Sequence, residues 1–516
     1  MAYYTWYYPV IFDSDAASIQ VLAQAMVDEL SLLPHDFFYA NQLIFFRANL
    51  FIAPALKLGL TGYTAFVVGS SISFSVFFLI TFLTLETLFH SWVKSLFLTS
   101  LLFLPLSINE ADFVIGQQSH LANFVFALLI AVHSYRACWY KERRSLVITS
   151  LVVFLMAVEA PMRVLFVLFA LAFVIAATGK AKSSAKLSYA LVIAFIVGYI
   201  GNHYLVMTHL VTADISDQAF ATSDRFLIRM SSLFEDFVDK YIGFGQFVGM
   251  KTTPRINLVL YGVKTLVFVS FLSLFCWLAY RLAERAVKPW TENRGATQSE
   301  LQALEFIGML GVTGVMTGLW MCSALEYDQP ATIRHFLWAL QLFKLALCAY
   351  SLNALTHLIP HVLLRYTVLL VLALLSSTAA TSFLFAPYRA QLQQTFESKM
   401  NSPIQRKIQK LMLVHGIDRI YGGDFWDTLR LEVDIPPTKA ALLSVSEGSI
   451  YFDRWLTRPS MRCVDGDVFY LIDQSKVDEE YIARKVIEKG GRLLEHIGNT
   501  GIYLGAPVWD RTGCSL

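Results

Sequence analysis

The chain has 516 residues, of which 56% are hydrophobic and only 16% charged, with a formal net charge of +2. An ordinary soluble domain is nearer a quarter charged, and the apolar excess here is clustered into runs that approach the ~20 helical residues a hydrocarbon core needs. The balanced charge excludes the basic field of a nucleic-acid binder. The lack of a P-loop, G-x-G-x-x-G, H-E-x-x-H or G-x-S-x-G pattern leaves nucleotide-driven transport and zincin or serine-hydrolase chemistry without support.

In chain order, Asp13-Ser14-Asp15 opens a helical stretch, "AASIQVLAQAMVDEL". Acids at a helix start complement its dipole, so capping and a functional role are both readings of this pair. Residues 34–60 are apolar but interrupted by Asp36, Arg47 and Lys57, the pattern of an interfacial segment. About ten spans follow, at 63–89, 93–107, 119–137, 145–160, 163–179, 187–205, 256–280, 302–322, 334–356 and 361–386. No signal-peptide layout is present, so the spans themselves are expected to direct insertion.

Basic residues collect in three links. These are 136–144 (Arg136, Lys141, Arg143, Arg144), 180–186 (Lys180, Lys182, Lys186) and 281–294 (Arg281, Arg285, Lys288, Arg294). Two spans separate each from the next, so all three share one face, expected to be cytoplasmic. By parity, residues 1–42 and the tail after 387 lie on the outer side. The tail changes character: a charged amphipathic stretch (391–412), β-like runs "KAALLSV" and "DVFYLID", a helical stretch "DEEYIARKVIEKGGRLLEHI" interrupted at Gly490-Gly491, then "GIYLGAP". The expected organisation is 1–62, an outer-side acidic loop with interfacial helices; 63–386, a polytopic α-helical membrane domain; and 387–516, a small α/β domain.

Ionisable groups at membrane mouths are costly and often mark a pathway or a reaction site. On the outer side these are Asp13 and Asp15, Glu110, Asp112 and His120 in "NEADFVIGQQSH", and Glu159 with Arg163 in the turn "EAPMR". Arg163 runs against the positive-inside bias; snorkelling is the plain explanation and phosphate binding the sharper one. Arg334-His335 and Arg47 raise the same question. Glu86, Lys344 and Arg365 read as snorkelling groups near inner span ends. The "GVTGVMTG" run (Gly311, Gly314, Gly318) is a small-residue packing face. Cys276 and Cys348 fall in apolar spans, whereas Cys463 and Cys514 fall in the tail and could pair as a disulfide if it is extracytoplasmic.

Together these features resemble the GT-C superfamily of polyprenyl-phosphate-dependent glycosyltransferases, which includes the protein O-mannosyltransferases and the lipid A aminoarabinose transferase. The residues that carry the likeness are acids in the first outer loop (Asp13, Asp15) followed by "HDFFYANQLIFFRANLFIAPALKLGLTG", an acid in the second (Glu110 or Asp112), Arg334-His335 opening a late span, and a tail containing "YGGDFWDTL". The likeness covers most of the chain as an architecture, through short motifs. Members carry a transmembrane helix before the acidic loop, whereas here Met1 stands twelve residues ahead of Asp13. The resemblance thus implies either a first span absent from this chain or a different alignment of that loop.

The resemblance implies sugar transfer from a polyprenyl-phosphate donor to an acceptor hydroxyl, a glycan, lipid or protein, on the outer face of a bacterial inner membrane. The leaving group is a phosphate ester, already stable as an anion, so it needs no general acid, unlike a glycosidase. One carboxylate among Asp13, Asp15, Glu110 and Asp112 suffices as base, with Arg163, Arg334, His335 and Arg47 on the donor phosphate and His120 and Glu159 on the acceptor or in support. The expected course is inverting, with no required cofactor, room for a divalent metal, membrane lipid as the medium and no nucleic-acid partner. Two rivals stand beside this reading. A lipid or glycolipid transporter predicts ionisable residues deep within spans, and a non-catalytic membrane subunit predicts that none of the acids matters.

Overall fold

The structure is a computed structural model describing residues 1–6, 8–39, 43–180, 184–209, 219–220, 223–244, 254–288, 296–326, 333–385, 403–424, 428–446, 448–453 and 456–511. It is mostly helical and divides into two compact units. One comprises Met1–Phe74, Leu205–Asp214 and Arg389–Leu516; the other comprises Ser75–Tyr204 and Ile215–Tyr388.

Each of the ten expected spans is met by a helix: Gly62–Phe89, Trp92–Leu102, Leu121–Trp139, Arg143–Glu159, Pro161–Ala177, Ala185–Thr208, Pro254–Val287, Ala296–Ala324, Leu337–Leu358 and Val362–Phe385. Among the described residues six stretches are long and apolar enough to cross a membrane, namely Gly62–Phe89, Leu121–Trp139, Ala185–Val206, Tyr261–Val287, Glu300–Ala324 and Arg334–Leu355. Trp92–Leu102, Pro161–Ala177 and Val362–Leu375 are apolar but shorter.

In the second unit, Ala296–Ala324 packs along Leu337–Leu358 through the glycine face. A Cβ on Gly311 would meet the backbone of Phe343 at 2.9 Å, and one on Gly314 would meet the Trp338 ring at 2.5 Å. Small residues admit this approach where lipid gives no hydrophobic drive between helices. The basic link at 136–144 is tied down locally: Arg136 Nε and Ser145 Oγ both donate to Glu142 Oε2 at 2.7 Å.

The first unit joins the amino-terminal residues to the carboxy-terminal domain, which the sequence had treated as separate. Arg458 holds them together. Its side chain is 2% exposed, and its guanidinium lies 2.8 Å from Asp28 and 3.5 Å from Glu432. Asp36 receives hydrogen bonds from the Ser460 amide and hydroxyl at 2.8 and 2.7 Å, and Phe38 enters the core of the carboxy-terminal domain. This part of 34–60 is therefore packed on protein rather than laid in an interface. Farther along, Arg430 donates to the carbonyl of Phe12 at 2.8 Å and to Asp434 at 2.7 Å. These contacts hold the amino-terminal residues and the carboxy-terminal domain together in one unit.

The carboxy-terminal domain is a six-stranded mixed sheet. Its strand order is Ser449–Phe452, Lys439–Ser446, Arg419–Gly422, Val468–Asp473, Thr500–Gly505, Arg492–Ile497, with parallel pairing on both sides of Arg419–Gly422. Alternation along the strands sends Tyr421 and Tyr470 to one face and Ile420 and Phe469 to the other. The first face is covered by helix Val477–Glu488, the second by Pro403–His415 and Arg430–Asp434. The sequence "DEEYIARKVIEKGGRLLEHI" is helical only in its first part. Gly490, at φ +85°, ends the helix, and Arg492–Ile497 continues as a strand. Cys463 is disulfide-bonded; Cys514, the partner expected from the sequence, lies outside the described residues, as do 386–402.

Candidate functional site

In the first unit, Asp13 is the N-cap of helix Ser14–Glu29, its Oδ1 accepting from the Ala16 amide at 3.0 Å, and Asp15 occupies the first turn. Both are half-buried. Arg47 sits in the turn that leads into helix Asn49–Lys57 and is also half-buried.

The remaining candidates belong to the second unit. Arg163, in the first turn of Pro161–Ala177, and Arg334, the sequence neighbour of His335, both lie within electrostatic range of that imidazole. Arg334 and His335 form part of the 3₁₀ turn Ile333–Phe336 that leads into Leu337–Leu358. Pro161 stands at the first helical position, where its missing N–H costs nothing. Arginines at helix starts, where backbone N–H groups already favour negative charge, are suited to an anion such as phosphate. Glu159 is buried at the end of the preceding helix.

Glu110, Asp112 and His120 share the segment 108–120, which contains a π-helical turn, Ala111–Gly116. Asp112 accepts from Gln117 Nε2 at 2.9 Å. His120 is buried with its ring edge-on to Phe113 at 5.8 Å.

Glu110 is 2% exposed and built into a buried polar cluster. Its Oε1 accepts from Lys344 Nζ at 2.6 Å and from Gln341, and its Oε2 accepts from the Leu106 amide. Lys344 also donates to the carbonyls of Leu102 and Leu104 at 3.1 and 2.7 Å, and Lys264 donates to that of Leu106. Leu102 ends helix Trp92–Leu102, whose last carbonyls have no partner in their own helix and carry the negative end of its dipole. One carboxylate and these carbonyls thus offset two lysines. Tyr241, from a second π-helical turn, Phe237–Ile242, is buried beside them, and its hydroxyl has no hydrogen-bond partner among the described residues.

This cluster corrects the sequence reading of Lys344. It lies well inside helix Leu337–Leu358 and is held by Glu110 and two carbonyls, so it does not snorkel to an inner end. Lys264, Gln341 and Tyr241 were missed altogether. The available signal was a lone lysine inside an apolar helix, which is a functional-site flag by default. The saturated oxygens of Glu110 also make it a poorer base than its loop position suggested.

No family model matches the chain, and no curated protein or solved structure was found to be similar to it.

Proposed function

We propose that the chain is a GT-C-type glycosyltransferase of a bacterial inner membrane. It would move a sugar from a polyprenyl-phosphate donor to an acceptor hydroxyl on the outer face, with the carboxy-terminal domain in the periplasm. The observation that carries this reading is the gathering of Arg163, Arg334 and His335, three of the four residues assigned to the donor phosphate from sequence. Guanidinium groups at helix starts stabilise the charge that grows on a departing phosphate, and preorganised donors of this kind supply the largest single term in many enzymes. The proposed base is a carboxylate at a helix start, Asp13, Asp15 or Asp112; Glu110 holds structure instead. Inversion follows from a single displacement at the anomeric carbon, with no cofactor beyond the donor.

The test is binding of a short-chain polyprenyl phosphate to the full chain in nanodiscs. A hydrogen bond to a charged group contributes about 1.5–3 kcal/mol, so Arg163→Ala and Arg334→Ala should each weaken binding roughly tenfold or more. Unchanged affinity in both variants removes the phosphate assignment.

The buried Lys264–Glu110–Lys344 set favours a second reading, transport of an anionic lipid or glycolipid, because ionisable groups within apolar helices often line pathways. Sugar transfer by the purified chain without net lipid movement across liposomes would exclude it.

A further inference from the structure

Helix Pro403–His415 covers one face of the carboxy-terminal sheet, with Ile408 and Met412 in the core. At about 100° per residue, Arg406, Gln409, Lys410, Leu413 and Val414 fall on the opposite arc. All five are exposed, Leu413 by 80% and Val414 by 69%. Lys407 flanks this arc and is taken by Glu495 at 2.9 Å. Among the described residues neither Arg406 nor Lys410 meets a carboxylate. The outward arc thus carries two bare apolar side chains and two cations, and no acid.

The fold puts this helix beside the end of a membrane-crossing stretch. Gln405 Nε2 donates to Asp434 Oδ2 at 2.7 Å. One residue away, the Val433 carbonyl oxygen would stand 2.8 Å from a Cβ on Gly62, and Pro436 Cγ 3.0 Å from it. Gly62 opens helix Gly62–Phe89, one of the stretches long and apolar enough to cross a membrane. Gly62, the segment 433–436 and helix Pro403–His415 all belong to the first unit. The start of helix Pro403–His415 and the boundary of the span therefore meet at one short segment, 433–436. The turn that feeds the span has the same make-up as the arc, with Lys57 and Leu58 both exposed.

We propose that helix Pro403–His415 docks on the surface of the bilayer that holds this span. Leu413 and Val414 enter the outer acyl region, and Arg406 and Lys410 rest on the phosphates of anionic phospholipids. A basic helix with an apolar seam settles about 5–10 Å into the headgroup boundary, and long cationic side chains reach from there to the phosphates. Charge complementarity and adjacency to the span select a lipid surface over a second protein. Docking would turn this face of the carboxy-terminal domain to the membrane and leave helix Val477–Glu488, on the other face of the sheet, toward water. The contact goes beyond sugar transfer and does not rest on it.

The experiment uses the full chain in nanodiscs, with the free cysteines Cys138, Cys276, Cys322 and Cys348 replaced by alanine. A spin label is placed at Leu413→Cys or, on the other side of the sheet, at Glu480→Cys; both positions are exposed, so neither label disturbs the core. Collisions of the label with oxygen, which concentrates in lipid, and with a water-soluble nickel chelate are read in phosphatidylglycerol and in phosphatidylcholine. In phosphatidylglycerol the label at 413 should be open to oxygen and shielded from nickel, while that at 480 stays open to nickel in both lipids. Arg406→Gln combined with Lys410→Gln should lower the docked-to-free ratio roughly 25-fold, about fivefold per cation, and phosphatidylcholine should likewise return the label to water. Both cations are exposed, so their loss leaves the fold intact. Equal nickel access at 413 and 480, shielding that survives loss of both cations, or shielding from oxygen as well as nickel (the mark of a protein contact) would overturn the proposal. Sugar transfer plays no part in the readout, so failure here leaves the transferase reading untouched.

Discussion

Lys344 Nζ stands 2.6 Å from Glu110 Oε1 with the two side chains 4% and 2% exposed, a buried ion pair between residues 234 positions apart. Removing one partner strands the other charge away from water, which typically costs about 3–5 kcal/mol. Lys344→Met and Glu110→Gln should therefore each lower the unfolding midpoint of the purified protein sharply. The double variant should recover much of that loss, because a neutral pair of similar volume leaves no buried charge unpaired. Additive losses in the double variant would show that the pair is not a coupled unit.

Arg458 makes a separate prediction about how the chain ends are joined. It binds Asp28 at 2.8 Å, and Glu432 at 3.5 Å, from the interior of the first unit. Arg458→Met should destabilise that unit and expose the segment around Asp28 to protease, with hydrogen exchange rising at 28–38. If exchange there is unchanged, the ends are held by apolar contacts alone.

The same clamp sets a pH dependence of mixed sign. Burial works to raise the Asp28 carboxyl, but hydrogen bonds from Arg458 and Gln24 outweigh it and hold the group below its ordinary value. Its stabilisation is therefore complete above the unfolded value of ~3.9 and is lost as pH falls through the lower folded value. Glu432 is opposite. Burial raises it despite Arg458, so its penalty grows as pH rises from the unfolded value of ~4.3 through the higher folded value. The stability of wild type relative to Asp28→Asn should shrink on acidification, while that relative to Glu432→Gln should grow. Thermal melts between pH 3 and 7 test both slopes.

Most of the helical plan was legible because each span is a local signal. An apolar run reads as a helix whatever it touches, so ten expected segments met ten helices. What stayed hidden was long-range. Lys344 looks like a snorkelling lysine until Glu110 is brought to it, and Arg458 gives no hint in sequence of Asp28, 430 positions away. The segment after Gly490-Gly491 misled for a related reason: "RLLEHI" has no helix breaker of its own, and pairing with Thr500–Gly505 decides that it is a strand. Within the candidate site, Arg163 stood out in sequence as an exception to the positive-inside bias. Of the buried polar residues, Lys264 carried a signal as a lysine inside an apolar helix, whereas Gln341 and Tyr241 are unremarkable alone.

Orientation is open to a direct chemical check. The topology expected from the basic links has Lys141 on the cytoplasmic side and the carboxy-terminal domain, with exposed Ser475, on the other. In a variant lacking native cysteines, Ser475→Cys should react with a membrane-impermeant maleimide added outside cells, and Lys141→Cys only after lysis. Reaction of Lys141→Cys in intact cells would reverse the topology and remove the periplasmic placement.

Asp13 offers a substitution that separates its two roles. Its carboxylate caps helix Ser14–Glu29 through the Ala16 amide, and asparagine caps helices as well as aspartate does. Asp13→Asn should therefore leave the unfolding midpoint nearly unchanged, while Asp13→Ala should cost about 1 kcal/mol. A general base, by contrast, needs the charge, and losing one typically lowers the rate 10²–10⁴-fold. If Asp13 is the base, Asp13→Asn abolishes sugar transfer without loss of stability; Asp15→Asn and Asp112→Asn, assayed in parallel, distinguish it from the other two candidates. Full transfer in Asp13→Asn, with loss in one of the other two, moves the assignment to that residue. Full transfer in all three leaves Asp13 as a cap and ends the carboxylate-base mechanism.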